Sequence, residues 1–115
     1  MSDRRVGFAP QFTQDFKQLQ KRYKQVGDDL RPLLDQLRHG QTPGDQVTGT
    51  GYPVYKVRIR NRDAKRGKSG GYRVVYYLET AQQVVMITIY SKSDQSDIPT
   101  KVIRRIIKEY ETHKS

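Results

Sequence analysis

Apolar and polar positions along this chain repeat with two different periods, and the change of period marks out the elements. Phe12, Phe16, Leu19 and Tyr23 recur at helical spacing, with Lys17, Gln18, Lys21 and Arg22 mostly around the other side. Pro10 fits the first position of that helix, where a missing N–H costs nothing. Gly27 is expected to break the helix, and Asp28 or Asp29 to cap a second one. The second stripe is Leu30, Leu33, Leu34 and Leu37, with Pro32 tolerated in the first turn and Gly40 at the end. The two segments predict a helix hairpin.

Beyond it the period falls to two. Gln41 to Pro53, rich in Gly, Thr and Pro, is read as a surface loop. Val54 to Arg60, Tyr72 to Leu78 and Val84 to Tyr90 read as strands, the last two joined at Glu79-Thr80-Ala81-Gln82, a hairpin length. Val6 to Ala9 is a short first strand. Pro99 opens a last helix with Val102, Ile103, Ile106, Ile107 and Tyr110 on one stripe. The order strand, two helices, three strands, helix predicts an α+β fold. A small antiparallel-type sheet carries the helix hairpin on one face and ends in a C-terminal helix. Alternation assigns Tyr55, Val57 and Ile59 to the core face, with Val74, Tyr76, Leu78, Val85, Ile87 and Ile89. Lys56, Arg58, Arg60, Arg73, Val75 and Tyr77 then fall on an open face.

Length and composition set limits on this picture. A chain of 115 residues with 34% hydrophobic content predicts one compact domain over residues 1–115, since no linker divides it. No window approaches the ~20 apolar residues of a membrane span, and the first residues lack the apolar core of a secretory signal. Without cysteine there is neither a disulfide framework nor a thiolate metal site. A cytoplasmic protein is expected, with no membrane partner.

Charge is more informative. The chain carries a net +10, and between Lys56 and Arg73 eight lysines and arginines face one acid, Asp63. Such an excess calls for an anionic partner, and its place in strand-like sequence favours nucleic acid over a membrane surface. A charged strand edge that only prevents aggregation is the plain alternative. The recurrence of cations at Arg73 argues against it.

Other motifs carry less. Arg66-Gly67-Lys68-Ser69 imitates the end of a phosphate-binding P-loop, but Arg62 stands where the first glycine is required and a strand follows. A cationic loop presenting Lys65, Arg66 and Lys68 beside the sheet is the reading kept. His39 and His113 stand alone at helix ends, where a cation complements the dipole. No carboxylate cluster suggests a metal. Asp94 and Asp97 are read as caps for the last helix, with Asp94 the one that could reach the site. Tyr77, and less firmly Tyr90, are read as rings able to stack on a base.

The helix hairpin, the segment VYKVRIRNRDAKRGKSGGYRVVYYL and the later VVMITIYSKSDQSDI together resemble the RelE/ParE toxin superfamily, in its RelE/HigB-like branch. The specific match runs from Val54 to Ile98. The resemblance implies the toxin of a type II toxin–antitoxin pair: an endoribonuclease that cuts mRNA in the ribosomal A site without metal or cofactor. Its products would be a 2′,3′-cyclic phosphate and a 5′-hydroxyl end. The implied partners are a cognate antitoxin, the ribosome with its mRNA, and operator DNA only through the antitoxin complex.

Residue by residue, Lys56 and Arg58 match the family's basic positions on the first central strand, Arg73 its arginine after GGY, and Lys92 a basic residue after the last strand. Where some members carry a tyrosine near the final helix, this chain reads Ile98-Pro99, which leaves the general base open. Arg73 is assigned to transition-state charge, and Lys65, Lys68 or Lys92 to proton transfer. Lys56, Arg58, Arg60, Arg66 and Tyr77 are assigned to RNA binding. Two other readings remain: a ParE-like toxin directed at gyrase, and a non-catalytic RNA-binding module.

Overall fold

The computed structural model describes residues 3–61, 71–95 and 97–113. Five strands and three helices follow in the order β1 (Arg5–Phe8), α1 (Pro10–Arg22), α2 (Val26–Arg38), β2 (Asp45–Val47), β3 (Val54–Ile59), β4 (Tyr72–Thr80), β5 (Gln83–Ser91) and α3 (Thr100–His113). The sheet order is β1-β5-β4-β3-β2. All neighbours are antiparallel except β1, which runs parallel to β5. The α+β fold expected from periodicity is the one observed.

Three boundaries differ from expectation for identifiable reasons. β2 lies within the expected loop: Asp45, Gln46 and Val47 pair with Lys56, Tyr55 and Val54 and cover one half of the β3 edge. The β4–β5 turn is only Ala81-Gln82, because β4 continues to Thr80. Finally, α2 begins at Val26, before Gly27 and both aspartates. Val26 is fully buried. Gly27 therefore lies inside the helix and breaks nothing, and a Cβ there would make only an ordinary contact with the Phe16 ring at 3.7 Å. The aspartates sit in the first turn, where the helix dipole favours them, and Pro32 falls a turn later than expected.

The sheet separates two apolar clusters. On one face Phe12, Leu19, Leu30, Leu33 and Leu37 of the helix hairpin pack on Tyr72, Val74, Tyr76, Val84, Met86 and Ile89. On the other, Ile103, Ile106 and Ile107 of α3 pack on Val54, Val75, Tyr77, Val85 and Ile87. Val85 and Ile87 are therefore on the face opposite to the one expected. The cause is a β-bulge: Val75 pairs with Thr88 but Tyr76 with Met86, so Ile87 is an extra residue. Before it, even-numbered residues of β5 face the hairpin. After it, odd-numbered ones do, and Ile89 and Tyr90 exchange faces relative to strict alternation.

Gly71, just before β4, has φ +66° and packs against the end of β3, where a Cβ would lie 2.3 Å from the carbonyl oxygen of Ile59. Gly51 has a similar φ, +81°, but open space around it. Gly51→Ala should cost about 1 kcal/mol through backbone strain alone, and Gly71→Ala ~3 kcal/mol or more because backbone must also move. Urea denaturation of the two variants measures the difference; equal losses would show that the close approach at Gly71 is unimportant.

Candidate active site

The site is built from three adjacent strands on the face shared with α3. Lys56 and Arg58 are two residues apart on β3 and project to one side. Arg58 pairs directly with Arg73 of β4, and Arg73 in turn with Tyr90 of β5. Residues directly opposite on paired strands share a face. The face therefore has three rows: Val54–Tyr77–Val85, then Lys56–Val75, then Arg58–Arg73–Tyr90. α3 packs on the apolar end, whereas Arg58 is exposed and Arg73 and Lys56 are half-buried. Cations from separate stretches of chain thus converge at one uncovered end of the sheet.

The loop after β5 closes over this end. Asp97 Oδ1 accepts hydrogen bonds from Lys56 Nζ at 2.9 Å, from its neighbour's Ile98 N–H at 2.8 Å and, at the limit of 3.5 Å, from the Tyr90 hydroxyl. The Lys56 bond is the main cause that holds the Asp97 carboxyl below the ordinary carboxylate range, and the Ile98 N–H adds to it. Asp94 pairs at 2.6 Å with Arg22 at the end of α1, whose guanidinium also lies over the Tyr23 ring. Two ion pairs therefore tie one loop to opposite sides of the sheet. Neither aspartate caps α3; that expectation is corrected, because each carboxylate is drawn to a cation.

Tyr90 is 6% exposed, and burial pushes its hydroxyl up to about 12, with Asp97 adding to the shift and Arg73 opposing it. At neutral pH it is a phenol, able to donate a hydrogen bond but not to act as a ready base. It reaches the cationic row only because the bulge reverses the phase of β5.

Tyr77 requires a correction. It shares the face with the cations, but α3 covers it: 6% of the residue is exposed, its ring meets Tyr52 edge-on, and its hydroxyl donates to Glu111 at 3.1 Å. A ring so placed is core and cannot stack on a base. Arg60 follows the end of β3 and is exposed. Lys92 follows β5, half-buried, and its N–H donates to the Gly71 carbonyl at 2.9 Å, which holds it at the mouth of the site. Lys65, Arg66 and Lys68 lie outside the described residues. His39 and His113 are exposed at the ends of α2 and α3, each with Nδ1 on the carbonyl four residues back.

Sequence reasoning missed Asp97 as a member of the site. Its only local signal is its distance from β5, two residues before Pro99, and the pairing with Lys56 spans 41 positions. At Ile98, where a tyrosine was noted in some relatives, the side chain is half-buried against the α3-side cluster. Among the described residues no group of three or more His, Asp or Glu could hold a metal ion, and no helix is long and apolar enough to cross a membrane.

A helix hairpin and a C-terminal helix lie on opposite faces of a mostly antiparallel sheet, with a basic row at its open end, as the resemblance to RelE-type toxins implies. The family model of the RelE toxin of the RelE/RelB toxin–antitoxin system matches residues 12–114, and the chain belongs to that family. It is accordingly a toxin whose partner is a cognate antitoxin.

Removing the Asp97 charge should leave the site more positive without changing its shape. Asp97→Asn is expected to bind single-stranded RNA more tightly, by about twofold to fivefold, the scale of an exposed ion pair. Fluorescence anisotropy at low salt checks this; weaker binding would mean that Asp97 holds Lys56 in its binding position. The pH dependence has a defined sign. A depressed carboxyl contributes stability above its unfolded-state value and loses it as pH falls through the folded-state value. In an NMR titration, Lys56→Gln should move the Asp97 midpoint upward toward the ordinary range, while an unmoved midpoint would contradict the pairing.

Proposed function

We propose that this protein is a ribosome-dependent mRNA endonuclease of the RelE/HigB-like branch, which cuts the message in the A site and so inhibits translation. The observation that carries the reading is the row Arg58–Arg73–Tyr90 with Lys56 beside it, at the end of the sheet that α3 leaves open. Four polar groups fixed on paired strands form a rigid grip for a phosphodiester, and rigidity is what electrostatic catalysis requires. Membership of the RelE family supports the same reading.

Cleavage starts with attack of a ribose 2′-hydroxyl oxygen on the adjacent phosphorus. The bond from phosphorus to the 5′-oxygen breaks, leaving a 2′,3′-cyclic phosphate and a 5′-hydroxyl end. A base takes the 2′ proton and an acid delivers one to the leaving oxygen. The phosphorane-like transition state carries extra negative charge, and Arg73, in the middle of the row, is placed to stabilise it. Lys56, Arg58 and Arg60 hold the backbone on either side. The Tyr90 phenol, kept protonated, donates to a phosphate oxygen. Proton transfer falls to Lys92, at the mouth, or to Lys65 or Lys68. Arg66 extends the RNA contact.

Because no base of matched pKa stands within the row, positioning of the message carries much of the rate. The ribosome supplies that positioning, which places the toxin in the bacterial cytoplasm. Operator DNA is met only through the antitoxin complex.

Induced Arg73→Ala should lose growth inhibition altogether, with a fall in cleavage of at least about a hundredfold, the scale of one transition-state donor. Sequencing of cellular RNA 5′ ends after induction of wild type reads the activity directly. Cuts inside translated codons are expected. Growth arrest without such cuts would favour a gyrase-directed toxin, and binding with neither would leave an RNA-binding module.

A further inference from the structure

A second cationic surface lies outside the site. α3 turns Ile103, Ile106 and Ile107 into the core, and on the opposite side it carries Lys101, Arg104, Arg105 and Lys108. These positions are spaced three and four apart, so their side chains form one stripe. They border a shallow surface hollow of about 450 Å³ whose lining also includes one acid, Glu109, with Thr112 and His113.

Three features separate this stripe from an ordinary solvated helix face. Surface helices usually interleave acids and bases at such spacings, yet here every neighbouring pair from Lys101 to Lys108 is like-charged and mutually repulsive. Lys101 sits in the first turn of α3, where no acid is present and the dipole disfavours a cation. None of the four pairs with a carboxylate among the described residues. Arg104 instead donates to the Gly49 carbonyl at 2.8 Å, which braces the helix against the loop before β3. The stripe opposes helix stability on each count, which marks it as a surface kept for binding.

The occupant follows from what the stripe lacks. Its lining contains no aromatic or aliphatic side chain, so it offers none of the apolar anchors on which a protein partner depends. Four cations against the single acid Glu109, with hydrogen-bonding capacity and no apolar anchor, is the chemistry of phosphate-backbone contact. The stripe also begins four residues after Asp97, the residue that closes on Lys56, and lies on the helix that borders the cationic row. We infer that the exposed side of α3 docks on the phosphate backbone of folded RNA in the ribosome, next to the message that enters the Arg58–Arg73–Tyr90 row. This rests on the ribosome-dependent reading above and assigns it a docking surface separate from the cutting site.

The test uses the full chain, purified bacterial ribosomes without mRNA, and the variant Lys101→Gln/Arg105→Gln/Lys108→Gln. Glutamine keeps helix propensity, and Arg104 is left in place to preserve its brace. Affinity is measured from 50 to 300 mM salt, and cutting of a translated message is followed in parallel. The variant should bind at least about tenfold more weakly near 100 mM salt, with a salt slope shallower by about two, because fewer counterions are released. The charge-keeping variant Lys101→Arg/Arg105→Lys/Lys108→Arg should match wild type. An unchanged affinity and slope in the glutamine variant overturns the proposal and turns the stripe toward another partner, such as an acidic antitoxin segment. A weaker affinity with an unchanged slope overturns it as well, since the loss would not be electrostatic. Wild type that binds ribosomes without cutting defeats the nuclease reading and leaves the docking surface to be judged by the variant. Wild type that fails to bind ribosomes at 50 mM salt overturns the docking surface.

Discussion

The site depends on one extra residue in β5. Without Ile87 in the bulge, strict alternation would carry Tyr90 to the helix-hairpin side and Ile89 to the cationic side. The bulge lets a strand of nine residues serve two cores at one end and a polar row at the other. Before the bulge, Val85 and Ile87 meet α3. After it, Tyr90 stands beside Arg73. A bulge leaves the extra residue outside the ladder and twists the strand locally, and here it sits between the apolar and cationic ends of the same face. The polarity of that face is thus written into backbone geometry rather than into side chains alone.

Electrostatics at the open end is a balance between function and stability. Arg58 directly opposite Arg73 is an unfavourable cross-strand pair. Lys56 adds a third cation on the same face. Asp97 relieves part of this repulsion, and its carboxylate stands near the cations that an RNA phosphate would meet. It does so from a loop that Asp94 ties to α1 through Arg22. Both pairs are largely solvent-exposed, and each contributes little to global stability. Their effect is local: Asp94 is held to α1 and Asp97 to β3, on either side of the sheet. A like-charged row with an internal anion is less repulsive than the cations alone, and it becomes more positive once that anion is neutralised.

Most of the fold was legible because its signals are local. The helical stripes of Phe12, Phe16 and Leu19, of Leu30, Leu33 and Leu37, and of Ile103, Ile106 and Ile107 each face the core as their spacing requires. The convergence of Lys56, Arg58 and Arg73 followed from alternation on two strands, each of which sets its cations opposite its core residues. What was not legible arose from tertiary pairing. Nothing in VVMITIYS marks Ile87 as the extra residue, so Val85 and Ile87 were assigned to the wrong face, while Ile89 and Tyr90 beyond the bulge fell on the right ones. Gly27 resembles a helix break, but it lies in the first turn of α2, whose start is set by the buried Val26 before it. Asp97 resembles a cap until a lysine on a distant strand competes for its carboxylate. Tyr77 was placed on the correct face and still misread, since alternation tells which side a ring points to and not what covers that side.

α3 is the element in which these threads meet. By covering Val54, Val75, Tyr77, Val85 and Ile87 it removes from water the apolar end of a face that would otherwise be exposed. The Tyr77 hydroxyl, unable to reach solvent, donates to Glu111 on the helix itself. Burial and that carboxylate both push the phenol above its ordinary value, so the bond persists at any physiological pH. The helix stops short of Arg58 and Arg73 because its path starts at Pro99, directly after the loop anchored by Asp97. A longer or shifted helix would bury arginines, at the desolvation cost of taking charge out of water. The boundary between core and cationic row is therefore set by where the chain leaves β5, and the same loop that sets it supplies the carboxylate that occupies Lys56.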